Sequence, residues 1–200
     1  MIRVLIAEDQ TLVRGALARL LDLEDDIEVV AQAQDGRQAI ELALVTQPQV
    51  ALVDIEMPHL SGLEVISVLA KTVPQCRALI VTTFARPGYL KRAMQFGAAG
   101  YMLKDAEITE LAAAIRTVAN GGKVIDPNLM MAALDNDNPL SEREVALLLR
   151  AAEGLSTRAL ARELFLTEGT VRNYLSEIFS KLAVDNRQEA IRVARENGWL

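Results

Sequence analysis

The sequence predicts an α/β protein with a doubly wound (βα)5 parallel sheet, in strand order 2-1-3-4-5, and a second, smaller all-α domain. Short β-branched runs alternate with helical segments over residues 1–121. From Leu140 onward the pattern is helical, with no candidate strand. Hydrophobic residues make up 51% of the 200-residue chain, which is enough to build cores in both parts.

The strands of the first domain are predicted from five apolar runs. These runs are IRVLIA, IEVVAQA, VALV, ALIVT and AGYML. Helical segments separate them, and in the last segment Ile108, Leu111, Ile115 and Val118 recur at helical spacing. Gly121-Gly122 then ends the fifth helix, as a breaker pair does. Such alternation predicts a parallel sheet covered on both faces.

Residues 122–138 are predicted to be a linker with one short helix, because Pro127 and a polar, turn-prone DNDNP end interrupt the pattern. The second domain is expected over residues 139–200. Ser141 and Glu144 form a capping box for its first helix, and Thr167 can cap a later one.

Composition and charge exclude several classes of protein. A single cysteine, Cys76, excludes an internal disulfide, and a single histidine, His59, leaves no partner for a His-rich metal site. The N-terminus does not read as a cleavable signal, and no apolar run is long enough to cross a bilayer. We therefore expect a cytoplasmic protein without a membrane partner.

A net charge of −6 does not favour binding to nucleic acid, but the excess of acidic residues is confined to the first part of the chain. Residues 1–138 carry 12 Lys and Arg against 18 Asp and Glu, whereas residues 139–200 carry nine of each. A neutral domain can bind DNA if its basic residues share one face.

Polar residues stand where the predicted strands end. Glu8 and Asp9 follow the first strand, Asp54 follows the third, Thr82 closes the fourth and Lys104 closes the fifth. In an open parallel sheet these ends form the ligand crevice, and the predicted strand order makes the four strands neighbours. Each carboxylate alone would be read as merely solvated. The combination is far more specific.

The chemistry expected of this crevice follows from its charge. Carboxylates packed together repel one another and demand a cation, and hard oxygen ligands suit Mg²⁺. An aspartate carboxylate is a competent nucleophile toward phosphorus, and a lysine ammonium offsets charge on the transferring group. The sequence therefore predicts a site at which an aspartyl phosphate can form, with the Thr82 hydroxyl placed to donate to a phosphoryl oxygen.

The motifs VLIAEDQ, VALVDIEMPHLSGLE, IVTTFA and GAAGYMLKDA resemble those of response-regulator receiver domains over about the first 121 residues. The resemblance implies that Asp54 is the phosphoacceptor, and that Asp9 and Asp54 bind Mg²⁺ with the main-chain carbonyl of Glu56. It makes Glu8 the helper acid, Thr82 the switch hydroxyl and Lys104 the phosphate-binding lysine.

Two further positions follow from this resemblance. Tyr101 falls on the aromatic switch position, where it would rotate into space that Thr82 vacates; a half-buried tyrosine without a switching role is the alternative. Asp105 departs from the proline, with a cis bond, that many receivers have there. A cis bond to a non-proline residue costs about 3 kcal/mol, which puts a cis Lys104–Asp105 bond in doubt.

The segment STRALARELFLTEGTVRNYLSEIFSKL has the pattern of two helices joined by a tight connection. Val171, Leu175, Ile178 and Leu182 form a buried stripe on the second helix, and small polar residues with Arg and Asn lie opposite, as fits a major groove. Periodicity alone also allows an ordinary bundle with a solvated face.

Residues 139–200 resemble the LuxR-type helix-turn-helix through LSERE, the segment above and NRQEAI, although Tyr174 replaces a frequent histidine. The whole chain thus resembles NarL/FixJ response regulators, and DIEMP, TTFARPGY, GTVRNYLS and ENGWL are similar to the desaturase-controlling type. The expected DNA contacts are Arg172, Asn173, Ser176, Thr170, Glu168, Arg162 and Lys181.

The function implied is transcription regulation through phosphorylation by a sensor histidine kinase, dimerisation and promoter binding. The protein is then not an enzyme, beyond catalysing its own phosphotransfer and dephosphorylation.

Two alternatives to this function stay open. One is a phosphatase that forms an aspartyl phosphate, although that class needs a larger core and a cap domain; the other is a constitutive DNA-binding module whose first domain only dimerises.

Overall fold

In the computed structural model the described residues are 1–83, 87–134 and 138–200. They form two compact units, one with residues 1–85 and 90–130 and the other with residues 86–89 and 131–200. Residues 84–86, part of the IVTTFA and TTFARPGY motifs, and residues 135–137 of the predicted linker lie outside the described residues.

A six-stranded parallel sheet forms the first unit, in the order β2-β1-β3-β4-β5-β6. The strands are β1 (Ile2–Ala7), β2 (Ile27–Ala33), β3 (Val50–Val53), β4 (Arg77–Thr82), β5 (Gly100–Leu103) and β6 (Val124–Ile125). The first five strands and their order confirm the prediction. The sheet positions the carboxyl ends of β1, β3, β4 and β5 side by side.

Helices cover both faces of this sheet. They are α1 (Thr11–Leu21), α2 (Gly36–Thr46), α3 (Gly62–Thr72), α4 (Pro87–Gln95) and α5 (Ile108–Ala119). Alternate residues of β1 point to opposite faces, so Val4 and Ile6 pack in a cluster with α1 and α5. Leu5 and Ala7 pack in the other cluster, with α2 and α3. Both faces of the sheet are therefore buried, as predicted for a doubly wound fold.

The sixth strand lies in the segment predicted as a linker. The Val124 N–H donates to the Ala99 carbonyl at 3.1 Å, and the Asp126 N–H donates to the Tyr101 carbonyl at 3.1 Å. Two residues are too few to show a period-2 pattern, so only the paired strand reveals this element. The short helix expected in the same segment is present as α6 (Pro127–Leu134).

The four predicted helices of the second unit are α7 (Glu142–Ala152), α8 (Thr157–Glu163), α9 (Glu168–Leu182) and α10 (Arg187–Glu196). Side-chain caps begin each of them, at Ser141, Ser156, Thr167 and Asn186. Their core includes Leu148, Leu160, Val171, Ile178 and Ala194. Across the described parts of the chain, every helix is too short or too polar to pass through a bilayer.

Cys76 is a core residue, as its apolar context predicted. Burial raises the pKa of its thiol to about 12, so this side chain stays protonated near neutral pH.

Candidate functional site

The polar side chains predicted at the strand ends meet at one edge of the sheet. Glu8 directly follows β1, Asp54 follows β3 and Lys104 follows β5, whereas Thr82 is the last residue of β4. Glu8 is 2% exposed and Asp54 6% exposed, so both carboxyl groups are largely removed from water. Asp9, in contrast, is exposed at the rim. The crevice thus contains two buried acids, Glu8 and Asp54, and one acid at its rim, Asp9, that faces solvent.

Lys104 joins the two buried acids. Its Nζ lies 2.5 Å from Glu8 Oε2 and 2.9 Å from Asp54 Oδ2. The lysine side chain is only 9% exposed, so these are charge-assisted bonds in a poorly hydrated site. One ammonium group therefore partly compensates two carboxylates.

Main-chain groups orient the acids further. The Ile55 N–H donates to Asp54 Oδ1 at 2.8 Å, and the Gln10 N–H donates to Glu8 Oε1 at 3.1 Å. The Arg14 guanidinium donates to the Glu8 carbonyl at 2.6 Å, which fixes the loop between β1 and α1. Sequence reasoning missed Arg14, because its position on α1 carries no motif signal of its own.

Burial changes the protonation of these groups. Burial raises the pKa of Glu8 and of Asp54 above their usual values, and hydrogen bonds to Lys104 offset only part of the increase. For Lys104, burial works toward a lower pKa, but hydrogen bonds to Glu8 and Asp54 outweigh it and the pKa of the ammonium is raised. The pocket therefore stabilises the protonated ammonium of Lys104 and destabilises the ionised forms of Glu8 and Asp54.

This acid cluster fits a hard divalent cation. Glu8, Asp9 and Asp54 each offer a carboxylate oxygen, and these oxygens lie within 4.8 Å of one another. With all groups ionised, three carboxylates and the Lys104 ammonium leave a charge of −2, which one Mg²⁺ neutralises. Glu56, expected to contribute its main-chain carbonyl, has an exposed side chain that is not part of the cluster.

The two predicted switch residues are both buried. Thr82 is 1% exposed, and its carbonyl accepts a hydrogen bond from the Lys104 N–H at 2.8 Å. Tyr101 is 0% exposed, so the tyrosine is fully buried in the strand rather than half-buried. Its role as a switch stays a prediction. Within the described residues every peptide bond is trans, Lys104–Asp105 included.

In the second unit, α9 presents the side chains expected at DNA. Its inner face carries the buried residues Val171, Leu175 and Ile178. The exposed side holds Glu168, Arg172, Asn173 and Ser176, with Arg162 exposed on α8 and Thr170 half-buried. Arg172 and Glu168 form an ion pair at 3.4 Å between largely exposed side chains, which screening makes weak.

Lys181, predicted to contact a DNA phosphate, has an ion-pair partner within its own domain, and its side chain is 41% exposed. Its Nζ lies 2.7 Å from Glu144 Oε2, and Glu144 is 1% exposed. The same carboxylate accepts hydrogen bonds from the Ser141 N–H and hydroxyl in the capping box of α7. Sequence spacing predicted the capping box but not the lysine, since 37 residues separate Glu144 from Lys181.

Two family profiles match the chain. Residues 4–116 match the family described as "Response regulator receiver domain", and residues 138–194 match "Bacterial regulatory proteins, luxR family". Two relatives from Bacillus subtilis (strain 168), named as the uncharacterized transcriptional regulatory protein YvfU and the transcriptional regulatory protein DesR, are each 48% identical. The matches span 100% of this chain and 100% and 99% of the respective relatives.

Solved structures show the same fold. The response regulator ChrA of a heme-sensing two-component system is 36% identical, covers 100% of this chain and 98% of its own, and has a TM-score of 0.60. RcsB, in a structure of its dimers bound to DNA, has a TM-score of 0.74 at 21% identity, covering 100% of this chain and 99% of its own. The chain therefore belongs to the two-component response regulators of the NarL/FixJ family, transcriptional regulators that join a receiver domain to a LuxR-type DNA-binding domain.

Proposed function

We propose that Asp54 accepts a phosphoryl group from a sensor histidine kinase. The observation that carries this proposal is the contact of Lys104 with both buried acids, beside the exposed carboxylate of Asp9. An Asp54 oxygen would attack phosphorus while the bond to the donor's leaving atom breaks, so the group moves without an added oxidant or reductant. The same pocket would let the domain catalyse its own phosphotransfer and dephosphorylation.

Each residue of the crevice has a distinct part in this proposal. Asp9 and Asp54 would hold Mg²⁺ with the Glu56 carbonyl, and Glu8 would support them. When bound, Mg²⁺ supplies positive charge beside the transferring group. Lys104 would exchange its bond to Asp54 for one to a phosphoryl oxygen, and the Thr82 hydroxyl would donate to another.

The consequence of phosphorylation would be dimerisation and promoter binding. We place the receiver domain at residues 1–121, the linker at 122–138 and the DNA-binding domain at 139–200. Thr82 and Tyr101, packed in the same unit as Asp54, would transmit the change to the surface. Two copies would then present two α9 helices to half-sites about one helical turn apart. Since its target is promoter DNA, we expect the protein to act in the cytoplasm.

The test is incubation of the full chain with a small phosphodonor and Mg²⁺, followed by mass spectrometry. We expect the wild type to gain one phosphoryl group and Asp54→Ala to gain none. Asp105→Ala is the matched control, because it removes a nearby carboxylate outside the acid cluster and should still be modified. No gain in the wild type, or an equal gain in Asp54→Ala, would reject the proposal.

Sedimentation of the treated protein separates this function from a constitutive DNA-binding module. The proposal expects phosphodonor to shift the wild type from monomer to dimer and to increase its affinity for promoter DNA, with no shift for Asp54→Ala. A dimer that forms equally in both proteins, with equal DNA affinity, would favour the constitutive module.

A further inference from the structure

The turn between α8 and α9 contains an aromatic residue in an unfavourable setting. Helix α8 ends in a Schellman motif, in which the Leu166 N–H donates to the Ala161 carbonyl at 2.8 Å and the Phe165 N–H donates to the Arg162 carbonyl at 3.3 Å. Phe165 occupies the left-handed position of this motif, with φ of 56°. Glycine is the residue that this position favours, because it has no Cβ to clash.

The ring of Phe165 also gains nothing from burial. The residue is 95% exposed, the highest value for a large apolar side chain among the described residues. The residue that follows it, Leu166, packs against the core of the domain, so the turn itself is well anchored. Folding therefore accounts for the turn and for Leu166, but not for an aromatic side chain at residue 165.

The position of Phe165 indicates what covers it. The ring stands two residues before Thr167, the cap of α9, and three before the first residue of that helix. In helix-turn-helix domains the N-terminal residues of the recognition helix contact base edges, so the turn that leads into it lies close to the groove. Glu168, Arg172 and Asn173, on the helix that begins just after this turn, are exposed. The apolar group that major-groove DNA offers to such a ring is the thymine 5-methyl.

We propose that Phe165 is a specificity-determining residue that packs its ring against a thymine methyl group in the promoter's major groove. This inference rests on the proposed DNA-binding function and adds an apolar contact to its polar ones. It explains why a residue that lowers the stability of the turn is present, because burial of its ring against DNA favours binding.

The experiment compares the full-length wild type with Phe165→Gly after phosphodonor treatment. A preferred duplex is first selected from a random DNA pool with the wild type. Binding is then followed by fluorescence anisotropy on this duplex and on versions in which single thymines are replaced by uracil, which removes only the methyl group. We expect Phe165→Gly to bind the selected duplex about tenfold more weakly. At one uracil position, we expect the wild type to lose affinity and the variant to be indifferent.

Two controls keep the outcome readable. Phe165→Gly should melt at the same temperature as the wild type or higher, since glycine suits the left-handed turn. Ala183→Gly makes the same kind of change at the end of α9, where φ is 50°, and should leave the affinity for the duplex unchanged.

Four results would overturn the inference. The first is an equal affinity of wild type and Phe165→Gly for the selected duplex. The second and third are that no uracil substitution weakens binding, or that each weakens it equally in both proteins. The fourth is that Phe165→Gly no longer forms the phosphorylated dimer. The last result would assign the ring to a second copy of the chain. A wild type that selects no duplex would instead reject the DNA-binding function itself.

Discussion

At the scale of single residues, Lys104 is the centre of the receiver crevice. Its ammonium contacts the carboxylates of Glu8 and Asp54, which the sheet holds away from water. In this arrangement the pKa of each of the three groups is raised above its usual value. Removal of one partner from a buried ion pair leaves uncompensated charge, which costs more than the intact pair contributes. Lys104 therefore contributes to the stability of the unphosphorylated domain as well as to the proposed chemistry.

Lys104→Met should lower the free energy of unfolding of the receiver domain by roughly 2–4 kcal/mol without Mg²⁺. Added Mg²⁺ should raise the melting temperature of this variant more than that of the wild type, because the cation replaces the missing positive charge. Circular dichroism melting with and without Mg²⁺ measures both effects. Lys71→Met, which removes an exposed lysine from α3, should melt like the wild type; equal melting of Lys104→Met and wild type would contradict the argument.

Glu144 and Lys181 form the corresponding pair in the DNA-binding domain. Burial alone would raise the pKa of Glu144, but hydrogen bonds from Lys181 and Ser141 outweigh burial and hold the pKa below its usual value of 4.5. A carboxylate with a lowered pKa in the folded state stabilises the fold above its unfolded pKa, and this stability is lost as pH falls through the folded pKa.

Lys181→Met should therefore destabilise the domain by about 1–3 kcal/mol at neutral pH, and the difference from wild type should shrink below pH of about 4.5. Fluorescence of Trp199, the single tryptophan, reports this domain because its side chain packs against the domain's core. Lys123→Met, which removes an exposed lysine elsewhere, serves as the control. A difference that persists unchanged at low pH would show that Lys181 acts through its methylene packing rather than its charge.

At the scale of elements, the loop between β3 and α3 depends on Gly62. A Cβ at this residue would lie 2.1 Å from the Asp54 carbonyl oxygen, a main-chain atom that cannot move without shifting the phosphoacceptor. The Gly62 N–H also donates to the Ile55 carbonyl at 2.9 Å, so helix and loop are held close together. The capping box of Ser61 and Glu64 begins α3 at the same point. The helix start and the position of Asp54 are thus fixed together.

Gly62→Ala should lower the free energy of unfolding of the receiver by at least about 2 kcal/mol and slow phosphorylation by the small phosphodonor. Gly15→Ala is the matched substitution, since a Cβ at Gly15 on α1 would meet no atom within 4 Å. It should stabilise the unphosphorylated domain by roughly 0.5–1 kcal/mol, the difference in helix propensity. Melting curves and phosphorylation rates of the two variants measure these effects. A Gly62→Ala variant that melts and is phosphorylated like the wild type would show that a Cβ fits beside the Asp54 carbonyl.

At the scale of the whole molecule, charge is distributed unevenly along the chain. The excess of acidic residues lies within residues 1–138, and residues 139–200 carry equal numbers of acidic and basic groups. DNA binding must therefore depend on where the basic side chains lie rather than on net charge. Arg162 and Arg172 are both exposed, one on α8 and the other on the proposed reading side of α9.

These two arginines should respond differently to substitution. Arg162→Ala should weaken binding to specific and random duplexes alike and reduce the salt slope by about one, as loss of a phosphate contact does. Arg172→Ala should cost about 1–3 kcal/mol on the selected duplex and relax sequence preference. Anisotropy titrations over a range of salt concentrations measure both. Identical behaviour of the two variants would contradict the assignment of base and phosphate contacts.

The sequence by itself determined the layered architecture and the strand-end chemistry, because hydrophobic period and residue type are local properties. Strands β1 to β5, the caps at Ser141 and Thr167, and the grouping of Glu8, Asp54 and Lys104 could all be predicted from local pattern together with the known order of such sheets. Their side chains alternate or recur at the spacing that each element requires. The elements and caps needed only local pattern, whereas the grouping of the three polar residues also needed the strand order of the sheet.

Only the tertiary structure decided which residues that are distant in sequence form ion pairs, pair as strands or pack together. Three features depend on which elements become neighbours. They are the pairing of β6 with β5, the full burial of Tyr101 and the ion pair of Lys181 with Glu144. A two-residue strand and a long flexible cation have no distinctive pattern of their own. Their partners are selected when the chain packs, because buried polar groups must find hydrogen bonds wherever the fold places them.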